Sequence, residues 1–110
     1  MFWRGWLLFK KGQFKNAITD LTKVIEINPR DSDAYLRRGI CYRYLEYFDH
    51  AIQDYNKAIE INPRYAETYY NRGGVYELLG INDKAQEDCC KAKQIEPGFL
   101  LKKGEEIFIP

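Results

Sequence analysis

Apolar residues recur along this chain at the three- and four-residue spacing of helices, and prolines interrupt them at regular points. Two neighbouring stretches in the middle show the spacing, first at Tyr35, Gly39 and Tyr42, then at Ala51, Tyr55 and Ala58. Proline disfavours a helical residue before it and cannot donate the next hydrogen bond, so helices should end just before positions 29, 63 and 97. The pattern predicts six helices, over 1–11, 14–28, 32–46, 48–62, 66–80 and 82–96.

The predicted helices fall into units that repeat every 34 residues. The hexapeptide IEINPR occupies Ile25–Arg30 and returns unchanged at Ile59–Arg64, and a divergent copy, KQIEPG, occupies Lys93–Gly98. Each copy finishes a second helix and enters the turn to the next pair of helices. A period of this length indicates stacked helix pairs that bury their faces only against their neighbours.

Small residues hold the same place in every unit. Glycine lies on each first helix at 5, 39 and 73, and alanine on each second helix at 17, 51 and 85. Glycine inside a helix costs about 1 kcal/mol relative to alanine, so its recurrence needs a shared reason. Helix axes that approach to roughly 8–10 Å need small side chains where they cross. We therefore expect each first helix to cross its second helix at these positions.

These residues resemble the tetratricopeptide repeat (TPR), whose 34-residue pattern is W-x2-L-G-x2-Y, then A-x3-F, A and P. The middle unit matches it with Tyr35, Gly39, Tyr42, Ala51, Tyr55, Ala58 and Pro63. Arginine at 4, 38 and 72 replaces the usual leucine. The resemblance covers 1–99, as repeats 1–31 (truncated at its N-terminus), 32–65 and 66–99, with 100–110 as a C-terminal cap or tail that can hold a short helix over 99–106. It implies an all-α, right-handed superhelical solenoid of antiparallel helix pairs.

The TPR resemblance also implies a concave groove, lined by first helices, that holds a peptide or helix of a partner protein. Aromatic residues and arginine commonly anchor such interfaces. The predicted partner-binding residues are Phe2, Trp6, Phe9, Leu36, Arg37, Ile40, Arg43, Tyr44, Tyr70, Asn71 and Glu77. Two alternatives stay open at this point. The N-terminal aromatic residues fit packing at the end of the stack equally well, and Arg37, Arg43 and Tyr70 fit a solvated face.

One specific TPR activity does not carry over to this chain. Some TPR co-chaperones grip the acidic C-terminal tail of a chaperone with a clamp of lysine, asparagine and arginine. The five corresponding positions here hold Phe2, Trp6, Arg37, Glu67 and Asn71, and all five differ from the clamp. We expect no binding of that kind.

Composition narrows the classes of partner. The chain has 110 residues, 30% of them charged, and a formal net charge of +1. This balance argues against nucleic-acid binding by bulk electrostatics, and the charged fraction argues against a membrane protein. The three cysteines, Cys41, Cys89 and Cys90, have no metal-ligand spacing and no even pairing. They are typical of structural thiols in a reducing compartment, so we expect a cytoplasmic protein.

The sequence offers no catalytic constellation. His50 is the single histidine and is expected on an exposed helix face beside Asp49. Glu105 and Glu106 are adjacent, so on a helix they would point apart. Without a glycine-rich phosphate loop or a ligand cluster, we expect no enzyme activity, no cofactor and no metal.

The two ends of the array differ. Asn82, Gln86 and Lys93 replace apolar residues of the middle unit, as suits a terminal repeat. At the other end, an aromatic helix begins without a polar cap. Exposed apolar patches of this kind mark interfaces, so we expect weak self-association through the first helix. The alternatives to groove binding are a structural unit that stacks through its repeat ends, or a piece of a longer TPR array.

Overall fold

The computed structural model describes the backbone of residues 2–98 and the side chains of 11–98. Five helices occupy this range and no strand is found within it: α1 (Phe2–Ile27), α2 (Ser32–Tyr44), α3 (Phe48–Ile61), α4 (Ala66–Leu78) and α5 (Asn82–Ile95). The predicted all-α solenoid is confirmed, with α2–α5 ending one or two residues earlier than predicted. The predicted helix over 99–106 lies outside the described residues.

The predicted turn between residues 11 and 14 is wrong, because α1 runs through it as one helix of 26 residues. The turn between α2 and α3 differs from this stretch of α1. There the backbone passes through a left-handed residue, Glu46 (φ 66°), next to the buried Leu45. The corresponding stretch of α1 is Lys11, Gly12 and Gln13, which provides no apolar anchor for a turn. A single glycine costs a helix only about 1 kcal/mol, which is too little to break it.

Two antiparallel helix pairs form the body of the molecule. Helix α2 packs along α3, α4 packs along α5, and α3 contacts α4 across the boundary between the pairs. Asp31 caps α2 by accepting a hydrogen bond from the Ala34 backbone N–H at 3.0 Å. Gly39 allows the close crossing of α2 and α3, since a Cβ there would lie 2.6 Å from the Tyr55 ring.

The core lies between the two pairs and within each of them. One cluster joins Leu36, Tyr55 and Val75 from three different helices, and a second joins Ala66, Tyr69 and Ala92 of α4 and α5. The first cluster spans the boundary between the two pairs, so the pairs depend on each other for part of their burial. No helix in the described part of the chain is long and apolar enough to cross a bilayer.

Candidate functional site

An open cavity of about 780 Å³ lies where the C-terminal end of α2 faces α4 and α5. Both polar and apolar side chains line it. The lining residues are Arg43, Tyr44, Tyr70, Asn71, Gly73, Gly74, Glu77, Leu78, Asn82, Ala85, Gln86 and Cys89. Its size lies within the range of ligand-binding clefts in proteins.

The 34-residue repeat explains why this cavity is open. In the middle unit, α4 helps to cover a surface formed by Leu36, Ile40, Phe48, Ile52 and Tyr55, which pack in the core cluster with Val75. The residues 34 positions later line the cavity instead: Tyr70, Gly74, Asn82, Gln86 and Cys89. The cavity therefore occupies the place where a further helix would pack on α4 and α5.

A cationic aromatic wall closes the α2 side of the cavity. The Tyr44 ring stacks on Phe14 of α1, with 5.0 Å between centroids and 9° between planes. The Arg43 guanidinium lies 5.1 Å from the Tyr44 centroid, within the range of a cation–π contact. Tyr44 nevertheless remains 51% exposed. The cavity is therefore lined by an aromatic ring whose position is fixed by stacking on Phe14, with the positive charge of Arg43 beside it.

The α4 side of the cavity combines open space with polar groups. A Cβ added at Gly74 would meet nothing within 4 Å, so the backbone itself forms part of the wall. The Asn71 side-chain amide donates a 2.8 Å hydrogen bond to the Glu67 carbonyl oxygen, which fixes its orientation. Glu77 and Leu78 are exposed at the rim. The cavity thus offers a positive charge on one wall and a negative charge on the other.

The structure brings five of the predicted partner-binding residues together, namely Arg43, Tyr44, Tyr70, Asn71 and Glu77. Three others on α2 lie elsewhere. Arg37 is exposed and forms an ion pair with Asp33 at 2.9 Å, a contact that raises the pKa of its guanidinium. Ile40 is half-buried against the core, and Leu36 is only 2% exposed within it. Leu36 cannot offer surface to a partner and does not belong to the proposed site.

The side chains of Phe2, Trp6 and Phe9 lie outside the described residues, although the backbone there belongs to α1. Their assignment to the groove stays a prediction. Any contact they make to a partner would come from the N-terminal part of α1.

Sequence reasoning missed the contribution of α5, because it considered first helices alone. Asn82, Gln86 and Cys89 line the cavity from the second helix of the last pair. The sequence does mark these cavity residues, because Asn82 and Gln86 stand 34 positions after the apolar residues Phe48 and Ile52. By itself that replacement of apolar by polar residues predicts only a polar end to the array. In the structure the same polar groups face a cavity.

The histidine lies on the surface, as its place beside Asp49 predicts. His50 is exposed on α3, with its ring 5.0 Å from that of Tyr42. Among the residues that the structure describes, no group of three histidine, cysteine or acidic side chains is placed to hold a metal ion.

The sequence matches two family patterns over most of its length. One, described as TPR repeat, matches residues 5–43 and 41–80, and the other, described as tetratricopeptide repeat, matches 66–99. The chain belongs to the tetratricopeptide repeat family. No curated protein sequence matches this TPR chain.

Several solved structures are similar to this TPR chain. A crystal structure of MamA is 32% identical with a TM-score of 0.75, covering 80% of this chain and 52% of that one. The first TPR domain of Spaghetti (RPAP3), bound to the HSP90 peptide SRMEEVD, is 29% identical with a TM-score of 0.76, covering 81% and 71%. YrrB, described as a TPR protein with an unusual peptide-binding site, is 29% identical with a TM-score of 0.77, covering 92% and 52%. The chain thus spans about half of the MamA and YrrB structures.

Proposed function

We propose that this chain is a non-catalytic protein–protein interaction module that receives a helix or an extended segment of a partner protein in the cavity between α2, α4 and α5. The observation that carries the proposal is the open cavity of about 780 Å³ at positions whose counterparts in the middle unit are covered by α4. A surface shaped for a helix in one unit is thus left open in the next.

The side chains that line the cavity indicate which kind of partner segment would bind there. Tyr44 and Tyr70 offer aromatic surface to an apolar side chain, a common source of interface binding energy. Arg43 on one wall and Glu77 on the other favour a segment that carries both signs of charge, acidic near α2 and basic near the end of α4. A uniformly acidic peptide would meet Glu77 unfavourably.

The similar structures support peptide binding and also limit its form. The first TPR domain of Spaghetti (RPAP3) holds the HSP90 peptide SRMEEVD. At the clamp positions of some TPR co-chaperones, this chain carries Glu67 and Arg37 in place of the expected basic and asparagine side chains. We propose that the occupant of this cavity differs from that acidic peptide.

A single substitution can obstruct the cavity without disturbing the fold. Gly74→Leu adds a side chain into open space and improves helix propensity, so the variant should fold at least as stably as the natural chain. Immobilised natural chain should retain one or more proteins from a cell extract, identified by mass spectrometry, and Gly74→Leu should lose them. Arg43→Glu should weaken the same contacts by reversing the charge of the α2 wall.

The matched control is Glu60→Leu, because Glu60 is exposed on α3 and does not line the cavity. This variant adds the same side chain to the surface and should retain the partners of the natural chain. Retention of the same proteins by Gly74→Leu and by Glu60→Leu would show that the cavity is not the binding site.

A second candidate is that the cavity is covered by a further repeat of a longer TPR array. The position of the cavity, where a following helix would pack, favours it. In that case the isolated chain should bind a peptide with the sequence of the following first helix. Localisation in the cytoplasm stays a prediction that rests on the cysteine content.

A further inference from the structure

One face of α1 lacks the cover that its counterparts have. In α3 this face packs under α2 and consists of four residues that are at most 5% exposed: Ala51, Asp54, Tyr55 and Ala58. The residues 34 positions earlier, on α1, are half-buried or exposed: Ala17, Asp20, Leu21 and Val24. Val24 is 39% exposed. The face is uncovered because no described helix lies on it as α2 lies on α3.

The segment whose sequence matches such a cover is the N-terminal part of α1 itself. Residues 2–10 are in repeat register with 36–44 of α2 and 70–78 of α4, the segments that cover α3 and α5. Gly5 stands at the position of Gly39, where a Cβ would lie 2.6 Å from the Tyr55 ring and 3.2 Å from the Ala51 carbonyl oxygen. The segment thus carries the small residue that the close crossing requires.

The spacing of arginine and aspartate gives the same alignment of residues 2–10 with the uncovered face, and does so independently of the glycine. Arg38 pairs with Asp54, and Arg72 pairs with Asp88, in both cases 16 residues apart and 2.8 Å between nitrogen and oxygen. Arg4 and Asp20 have the same spacing. Within one continuous helix, however, 16 residues span about 24 Å, so these two residues do not meet in one chain while α1 is unbroken. Asp20 is exposed, and no described side chain forms an ion pair with it.

Residues 2–10 could pack on their own α1 only if the chain turned near residue 12, but α1 is one continuous helix there. Gly12 is in register with Glu46 (φ 66°) and Gly80 (φ 80°), the left-handed residues of the two later turns, yet it lies inside α1. Residues 4 and 20 are equidistant from residue 12. Two α1 helices packed antiparallel would therefore cross at Gly12, with each residue 4 beside the residue 20 of the other helix.

We propose that two copies of this chain form a dimer by exchanging residues 2–10. The segment of each copy packs across residues 14–22 of the other, and Arg4 of one copy forms an ion pair with Asp20 of the other. The two-fold axis passes beside Gly12, which presents no side chain at the crossing. The exchange is independent of partner binding in the cavity, because it uses a different face and a different readout.

Charge reversal in trans tests the exchange on the full chain. By sedimentation velocity over a concentration series, the natural chain should dimerise. Arg4→Asp and Asp20→Arg should each weaken the dimer at least about 100-fold, because like charges then oppose at both contacts. An equimolar mixture of the two variants should restore dimers to within about threefold, since both contacts between unlike chains then pair an aspartate with an arginine.

The mixture separates exchange from folding back within one chain. If residues 2–10 fold back on their own chain, each variant keeps its own like-charge clash, and mixing restores nothing. Glu26→Arg is the matched control, since Glu26 is exposed on α1 and outside the uncovered face. A natural chain that remains monomeric at all concentrations, or a mixture that stays monomeric, overturns the proposal.

Discussion

Arg38 and Asp54 are joined by two parallel hydrogen bonds of 2.8 Å, from Nε to Oδ2 and from Nη2 to Oδ1, that connect α2 to α3. The remaining guanidinium nitrogen, Nη1, donates to Thr22 Oγ1 of α1 at 3.1 Å. The same arrangement recurs 34 residues later, where Arg72 binds Asp88 and Asn56. One arginine therefore connects three helices in each case, and its fork geometry suits this role better than lysine would.

Removing Arg38 should be costly. Arg38→Met leaves the Asp54 carboxylate buried without its partner, so we expect the free energy of unfolding to fall by about 3 kcal/mol, measured by urea denaturation. The neighbouring Arg37 provides the control. It pairs with Asp33 at the surface, with the two side chains 63% and 53% exposed, and Arg37→Met should change stability by less than about 0.5 kcal/mol. Equal effects of the two substitutions would contradict this account.

Two adjacent glycines of α4 should respond oppositely to alanine. A Cβ at Gly73 would lie 3.1 Å from the Ala85 carbonyl oxygen and 3.1 Å from the Asp88 Cβ, so α4 and α5 would have to separate. Gly73→Ala should lower the free energy of unfolding by about 1–2 kcal/mol, the strain exceeding the gain in helix propensity. Gly74→Ala meets open space and should raise it by up to about 1 kcal/mol. Thermal denaturation followed by circular dichroism measures both, and stabilisation by Gly73→Ala would be inconsistent with the close crossing.

Two tyrosines of similar burial should differ when their hydroxyl is removed. The Tyr55 hydroxyl is buried and has no hydrogen-bond partner among the described residues. Tyr55→Phe should therefore raise the free energy of unfolding by about 1 kcal/mol. The Tyr69 hydroxyl donates to the Pro63 carbonyl oxygen at 3.2 Å, and Tyr69→Phe should lower it by about 1 kcal/mol. Chemical denaturation of the two variants checks the sign, and a loss of stability in Tyr55→Phe would reveal a partner for that hydroxyl.

The cysteines should differ in reactivity. Cys41 is 8% exposed in the core and burial raises the pKa of its thiol, whereas Cys90 is exposed on α5. Because the thiolate is the reactive form, iodoacetamide at pH 8 should modify Cys90 at least about 100-fold faster than Cys41. Mass spectrometry of peptides over time gives both rates, and comparable rates would mean that α2 and α3 open readily.

The same burial predicts a dependence of stability on pH. The pKa of the Cys41 thiol and that of the Tyr55 hydroxyl are both raised by desolvation in the folded chain. Above the ordinary thiol pKa of about 8.5 the unfolded chain loses protons that the folded chain retains, so the free energy of unfolding should fall as pH rises. Denaturation at pH 8 and pH 10 measures the slope, which Cys41→Ala should reduce. An unchanged slope in that variant would exclude a contribution from this thiol.

The sequence predicted the later helices well because their ends depend on local chemistry. Asn-Pro and Glu-Pro end α3 and α5, and Asp31 caps α2, so the bounds differ from prediction by only one or two residues at one end. The predicted turn at Gly12 is wrong because repeat register alone does not guarantee a turn. The buried Leu45 next to the left-handed Glu46 shows that the later turn has tertiary support, which the sequence around Gly12 lacks.

The candidate site was predictable in part. Arg43, Tyr44 and Tyr70 follow from the phase of the first helices, but whether such a residue is open or covered depends on the next unit. Leu36 and Tyr70 occupy the same repeat position, yet α4 packs over the surface around Leu36 and no described helix does so for Tyr70. The periodicity predicts which face of its helix a residue occupies. Whether that face is exposed depends on whether a further described helix packs over it.

Helix α3 supplies both Asp54, which accepts from Arg38, and Asn56, which accepts from Arg72. Among the described helices it is therefore the one that accepts hydrogen bonds from both arginines. If α1 frays, Arg72 still bonds to α3, and if α5 frays, Arg38 still bonds to α3. Amide protons of α3 should consequently exchange with deuterium more slowly than those of any other described helix, with protection declining towards both ends.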